Sequence, residues 1–189
     1  MDVSRLTVPL VVLLLLGAAC TTKTEIRSAD PADFPTATAP SPHNDADATY
    51  ARALGVLHEQ AVDLAGLARG RETSPAVEEL ADQVRETRLT WMVSLDALRG
   101  TWDVEPPASD YLGNPGEVSR RQLAELNRLD GAEFEELWLA RVVANYRASI
   151  ALSRTELDHG LSQEARRYAT QVVEDLEADL EALERHAEP

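Results

Sequence analysis

The sequence holds one cysteine, one lysine and two methionines, and aromatic residues make up 5% of its 189 positions. A single cysteine excludes an internal disulfide and leaves no second thiol for a catalytic arrangement. Cationic residues are scarce as a class: 18 Lys and Arg stand against 33 Asp and Glu, for a net charge of −15. Nucleic acid is thereby excluded as a partner, because phosphate binding demands a basic face. The same acidity repels anionic lipid headgroups, so any membrane contact falls to an anchor rather than to the protein surface. No Gly-rich phosphate loop and no Gly-x-Ser-x-Gly elbow is present, and the chain reads as no enzyme.

A run long enough to span a bilayer is missing from the amino-terminal segment too. After Arg5 the chain is apolar from Leu6 to Leu16, broken by Thr7 and Pro9, well short of the roughly 20 residues that cross a bilayer. A short apolar core that ends in small residues is the pattern of a cleaved signal segment. Here the small residues are Gly17, Ala18 and Ala19, and the sole cysteine, Cys20, follows them. The arrangement resembles a bacterial lipobox. It predicts cleavage after Ala19 and lipidation of Cys20 with palmitate-type acyl chains. Two or more such chains anchor stably, at about 0.8 kcal/mol per buried CH2. The expected address is the extracytoplasmic face of the cell membrane or the outer membrane; an ordinary secretory signal with an incidental cysteine is the alternative.

Residues 1–19 are thus read as signal peptide and 20–47 as a flexible tether, rich in Thr, Ala, Asp and Ser and broken by Pro31, Pro35, Pro40 and Pro42. His43 falls here and reads as a solvated linker histidine. Residues 48–189 are read as one domain, whose roughly 140 residues would bury about 68% of their unfolded surface without disulfide or metal. Tyr50, Ala53, Leu54, Leu57, Ala61, Leu64, Ala65 and Ala68 are spaced for one buried helix face, and Gly70 ends that helix. Ser74 and Pro75 form an N-cap and first-turn proline for a second helix through Trp91, Leu95 and Leu98. These make a first hairpin over 48–102. The crossover, 103–131, carries Pro106, Pro107 and Pro115 and a short helix from Ser119 to Leu129. The second hairpin, 132–189, has a third long helix stopped at Gly160 and a fourth capped by Ser162.

The second hairpin repeats the first at a constant spacing of 88 positions: Ser74 maps on Ser162, Ala81 on Ala169, Val84 on Val172, Leu95 on Leu183, Leu54 on Val142 and Leu64 on Leu152. Duplication of a helical hairpin is the simplest account. Two amphipathic hairpins of similar length bury their stripes against each other, so the expected fold is all-α: a four-helix bundle of two duplicated hairpins with a short extra helix in the crossover.

The run from Tyr50 through His58-Glu59-Gln60 to Ala65, and that from Ser119 to Phe134, resemble the domain of unknown function 305 family, whose members are ferritin-like duplicated hairpins. The resemblance spans about Ala48 to the carboxyl terminus. It implies a His-His pair followed by Glu on the first helix of each hairpin, with methionines nearby, and hence a copper-type or other transition-metal site. Imidazole and thioether suit such ions. This sequence departs from that pattern: the two pairs are Leu57-His58 and Asn145-Tyr146, Arg147 stands where the second glutamate would be, and Leu54, Leu64, Leu95, Val142, Leu152 and Leu183 replace methionines.

What survives as a metal reading is His58 and Glu59 with Met92, and more remotely Asp63 and Asp179. The competing reading makes His58 a satisfied bundle histidine, since one imidazole cannot close a site that wants three or four ligands. His159 and His186 are explained by their places near helix carboxyl ends. Glu156-Leu-Asp-His159 matches half of a di-iron motif but stands alone, at what reads as a frayed helix end. Glu174, Asp175, Glu177, Asp179, Glu181 and Glu184 read as a solvated face, and Trp91, Trp102 and Trp138 as core. The resulting expectation is a non-enzymatic, lipid-anchored binding or scaffolding protein with no cofactor, whose partner the sequence does not name. An extracytoplasmic transition-metal binder is the alternative, and self-association stays open.

Overall fold

The computed structural model describes residues 42–105 and 117–187. The signal segment with Ala19, Cys20, most of the tether and residues 106–116 of the crossover lie outside the described residues, as does the side chain of His186. Among the described residues there are five helices and no strand: α1 (Asp45–Ala68), α2 (Pro75–Thr101), α3 (Arg120–Leu126), α4 (Gly131–His159) and α5 (Gln163–Ala187).

Each boundary has a local cause. Asn44 caps α1, its side chain accepting from the N–H groups of Ala46 and Asp47 while Asp47 reaches back to the Asn44 N–H. That reciprocal box starts the helix at Asp45, three residues before the expected 48, and takes 45–47 out of the tether. Ser74 caps α2 by accepting from Val77 N–H ahead of Pro75. Ser119 and Gln122 form a second capping box on α3, and Ser162 accepts from Ala165 N–H at the start of α5. Gly70 leaves α1 at φ 73°, a conformation that L side chains rarely adopt. His43 is exposed, as expected, and its ring stacks on Trp102 with centroids 5.0 Å apart.

Two antiparallel hairpins, α1 with α2 and α4 with α5, join along a seam between α1 and α4, and α3 lies against α4. One continuous apolar core runs through them, including Leu54, Leu64, Trp91, Leu95, Phe134, Trp138, Val172 and Leu176. All three tryptophans are buried. At the seam polar groups cross between the two helices. Asn145 donates to the carbonyl of Leu57 at 2.9 Å, the two being duplicated counterparts. Trp138 Nε1 donates to Leu64 O at 2.7 Å, and its counterpart Tyr50 meets Ser153 Oγ at 3.1 Å. The repeat is thereby expressed as an approximate twofold, with residues 88 positions apart playing matching parts in the two halves. No helix among the described residues is long and apolar enough to cross a membrane.

Candidate functional site: a buried arginine centre

Midway along the bundle side chains from all four long helices gather around a charge. Arg88, on α2, is fully buried. Its guanidinium lies over the rings of Trp91 and Tyr146, 4.8 and 4.9 Å from their centroids, a geometry that stabilises a desolvated cation. Arg88 Nη1 is 3.5 Å from His58 Nδ1, and His58 Nε2 is 3.1 Å from Tyr168 Oη. Tyr168 in turn donates to the carbonyl of Trp91 at 2.9 Å.

The hydrogen-bond directions fix the histidine tautomer. A phenol has one proton, and that of Tyr168 is committed to the Trp91 carbonyl. Tyr168 therefore accepts from Nε2–H, which leaves Nδ1 as the unprotonated nitrogen turned toward the guanidinium. Burial, and then the charges of Arg88 and Arg99, hold the His58 pKa well below its usual value, so the ring is neutral. Burial likewise pushes the hydroxyls of Tyr146 and Tyr168 up, and Arg88 pulls both the other way.

Asp179 supplies countercharge. It is buried on α5 and its field acts on both Arg88 and Tyr146. Asp175, one turn earlier, is buried as well. Of the acidic residues read mostly as a solvated face, Glu174 and Glu181 are exposed, whereas Asp175, which accepts from Gln171 Nε2 at 2.8 Å, and Asp179, whose field acts on Arg88, are buried.

The residues expected to form a metal site do not assemble as one. Glu59 is half-buried, its carboxyl raised by burial and drawn down by Arg99. Met92 is half-buried and Asp63 exposed. Among the described residues no three His, Cys, Asp or Glu side chains come together as a metal ion would need. Both ring nitrogens of His58 face internal partners, and a cation already stands beside the unprotonated one. A transition-metal ion would have to displace or sit against that guanidinium, so this donor set does not fit a copper-type ion.

A bundle of two duplicated hairpins with a buried arginine at its centre is the class these features define. The family described as "Domain of unknown function (DUF305)" matches residues 47–187. The chain belongs to that family. A family protein from Streptomyces coelicolor, described as a candidate secreted protein, has a crystal structure that superposes with a TM-score of 0.65 at 24% identity, over 72% of this chain and 88% of that one. A fragment of a family protein from Deinococcus radiodurans superposes with a TM-score of 0.68 at 23% identity, over 76% of this chain and 96% of that one. At such identities the likeness speaks for the fold. No curated protein matches the chain in sequence.

Sequence reasoning placed His58 in the bundle and missed Arg88. The available signal was an arginine at an otherwise apolar position of α2, one helical turn after Val84 and three residues before Trp91.

Proposed function

We propose that this protein is a lipid-anchored, extracytoplasmic binding or scaffolding protein without enzymatic activity, held at the membrane by acyl chains on Cys20 and presenting a stable four-helix bundle. The observation that carries the reading is the sole cysteine of the chain standing directly after a short apolar run and the small residues Gly17, Ala18 and Ala19. The description of the Streptomyces coelicolor relative as a candidate secreted protein supports a place outside the cytoplasm. The buried centre supports a structural role for the bundle core, because the Arg88 guanidinium already stands beside His58 where an ion would otherwise sit. The surface then carries the interaction with a protein partner.

Palmitate labelling in a bacterial host tests the anchor. The wild-type chain is expected to take up label and sediment with membranes, and Cys20→Ala to lose both; label retained in the variant sinks the proposal. The same purified protein, titrated with Cu(I), Cu(II) and Zn(II), is expected to keep its melting temperature. A ligand at 100 times its dissociation constant would add about 2.7 kcal/mol, so a rise that His58→Ala abolishes would favour a metal binder instead.

A further inference from the structure

Where α1 begins, its first turn is fastened to the turn between α4 and α5. Asn44 Nδ2 donates to the carbonyl of His159 at 3.0 Å. Asp47, wholly buried, accepts from Ser162 N–H at 2.9 Å on one oxygen and from Leu161 N–H at 3.1 Å and Asn44 N–H on the other. Three backbone donors at a helix amino terminus favour the ionised carboxylate. They hold Asp47 below its usual pKa although burial works against them.

Beside Asp47 lies a second carboxyl. Glu156 is 1% exposed, and no protein donor reaches either of its oxygens; the carboxyl beside it, and the one that acts most strongly on it, is that of Asp47. The chain makes room for it with a glycine: a Cβ on Gly160 would lie 2.0 Å from Glu156 Oε1. Two adjacent buried carboxyls cannot both be ionised. Asp47 has the backbone donors and Glu156 has none, so the proton resides on Glu156, which donates it to Asp47.

We propose that Asp47 and Glu156 form a proton-shared latch, which fastens the start of α1 to the α4–α5 turn while Glu156 is protonated and loosens when that proton is lost. A cleft of about 390 Å³, lined by Asp45, Thr49, Tyr50, Thr155 and His159 together with Glu156, gives Glu156 a route for proton exchange with water. The other ionisable groups facing Glu156 are Asp45 and Tyr50 from α1, His159 from its own helix and Arg166 from α5, whose charge favours ionisation. Burial and then Asp47 outweigh Arg166, and Glu156 is pushed up to about 8 from its ordinary 4.5.

The sign follows from proton counting. In the open state Glu156 is solvated and ionises near 4.5, whereas in the closed state it keeps its proton until about 8. Closure therefore takes up a proton throughout that window. Raising the pH shifts the latch toward open by up to about tenfold per unit between those two values, and the effect levels off above the upper one. The latch lies where the chain preceding residue 42 enters the bundle, so its state sets how firmly that entry point is held.

Amide hydrogen exchange on the full chain, corrected for the intrinsic pH dependence of exchange, tests this. Protection of the Leu161 and Ser162 amides is expected to fall steadily from about pH 5 to 8, by a factor of ten or more, while the core amide of Val172 changes much less. Glu156→Gln keeps a donor for Asp47 without a titrating proton. It is expected to match the wild type in melting temperature near pH 5, to exceed it near pH 8, and to show flat protection across the range. Protection independent of pH in the wild type, or an equal slope in Glu156→Gln, would overturn the proposal. So would a Gln variant that fails to fold near pH 5, where the wild-type side chain is its neutral isostere. Protection restored near pH 8 by Ca2+ or Mg2+ in the wild type alone would assign the pair to a cation instead.

Discussion

The two ends of the bundle are built on the same plan and fastened with opposite charges. At one end Asp47 of α1 accepts from the backbone N–H of Ser162; at the other its duplicated counterpart, Glu135 of α4, accepts from Ser74, the counterpart of Ser162. There the likeness stops. The first end buries Glu156 beside the capping carboxylate, where the second has Ala68, a buried methyl. The second end instead uses Arg71, which donates to Leu129 O at 2.6 Å and Asn127 Oδ1 at 2.9 Å, tying the α1–α2 turn to the segment after α3, and lies over the ring of Phe134. A repeated scaffold has thus given one end a titratable fastening and the other a permanently charged one. The expected consequence is that pH loosens one end and leaves the other in place.

The largest expected effect treats both ends alike, because it removes the centre between them. Arg88→Met removes the cation whose field reaches the buried Asp179, together with its packing on Trp91 and Tyr146, and leaving a buried charge uncompensated costs up to about 3–5 kcal/mol. Thermal unfolding is expected to show a large loss, partly recovered by adding Asp179→Asn. A melting temperature within a few degrees of the wild type would mean that the interior charge is not matched through Arg88.

Next in size is the direct test of unequal ends. Asp47→Ala strands the buried N–H of Ser162, worth about 1–3 kcal/mol when left without an acceptor, and also loses the bond from the more exposed Leu161 N–H. Glu135 is half-buried, and Glu135→Ala also leaves Ser74 with its own side-chain cap on Val77; the expected loss is about 1 kcal/mol or less. Denaturant midpoints of the two variants measure the difference directly. Equal losses would erase the distinction between the ends.

How much of this was legible in the sequence varies with the physics behind each feature. The four long helices and their pairing follow from apolar spacing and caps that act within a turn or two, so Ser74 and Ser162 mark the starts of the second and fourth of them. The start of α1 was placed late because Asp47 reads as linker polarity until its partner Asn44 is seen to close a capping box. Asp175, Asp179 and Glu156 were read as solvated or frayed because acidic residues usually are. Asp179 acts on Arg88 of α2 and Glu156 sits beside Asp47 of α1, both partners that are distant in sequence. Gly160 shows the same limit: it marks the end of α4 as expected, yet its φ is an ordinary −70°, and what requires glycine is the approach of the Glu156 carboxyl. The repeat at 88 positions was visible, but which counterpart pairs had become chemically unlike was informative only once both ends could be compared.

The smallest expected effect concerns a pair present at one end only. Tyr50 Oη meets Ser153 Oγ inside the first end, whereas at the second end their counterparts are Trp138 and Ala65, and Trp138 donates to a backbone carbonyl instead. Tyr50→Phe and Ser153→Ala should each cost about 1 kcal/mol, since each leaves a buried hydroxyl without its partner. The double variant should cost less than the sum, by about 0.5–1 kcal/mol, because removing both hydroxyls leaves neither stranded. A double-mutant cycle in urea at pH 5, where Glu156 is neutral in the folded state, keeps the nearby carboxyl pair from contributing. Additive losses there would mean that the hydroxyls are each satisfied elsewhere, and that the first end owes its cohesion to the Asp47–Glu156 pair rather than to this contact.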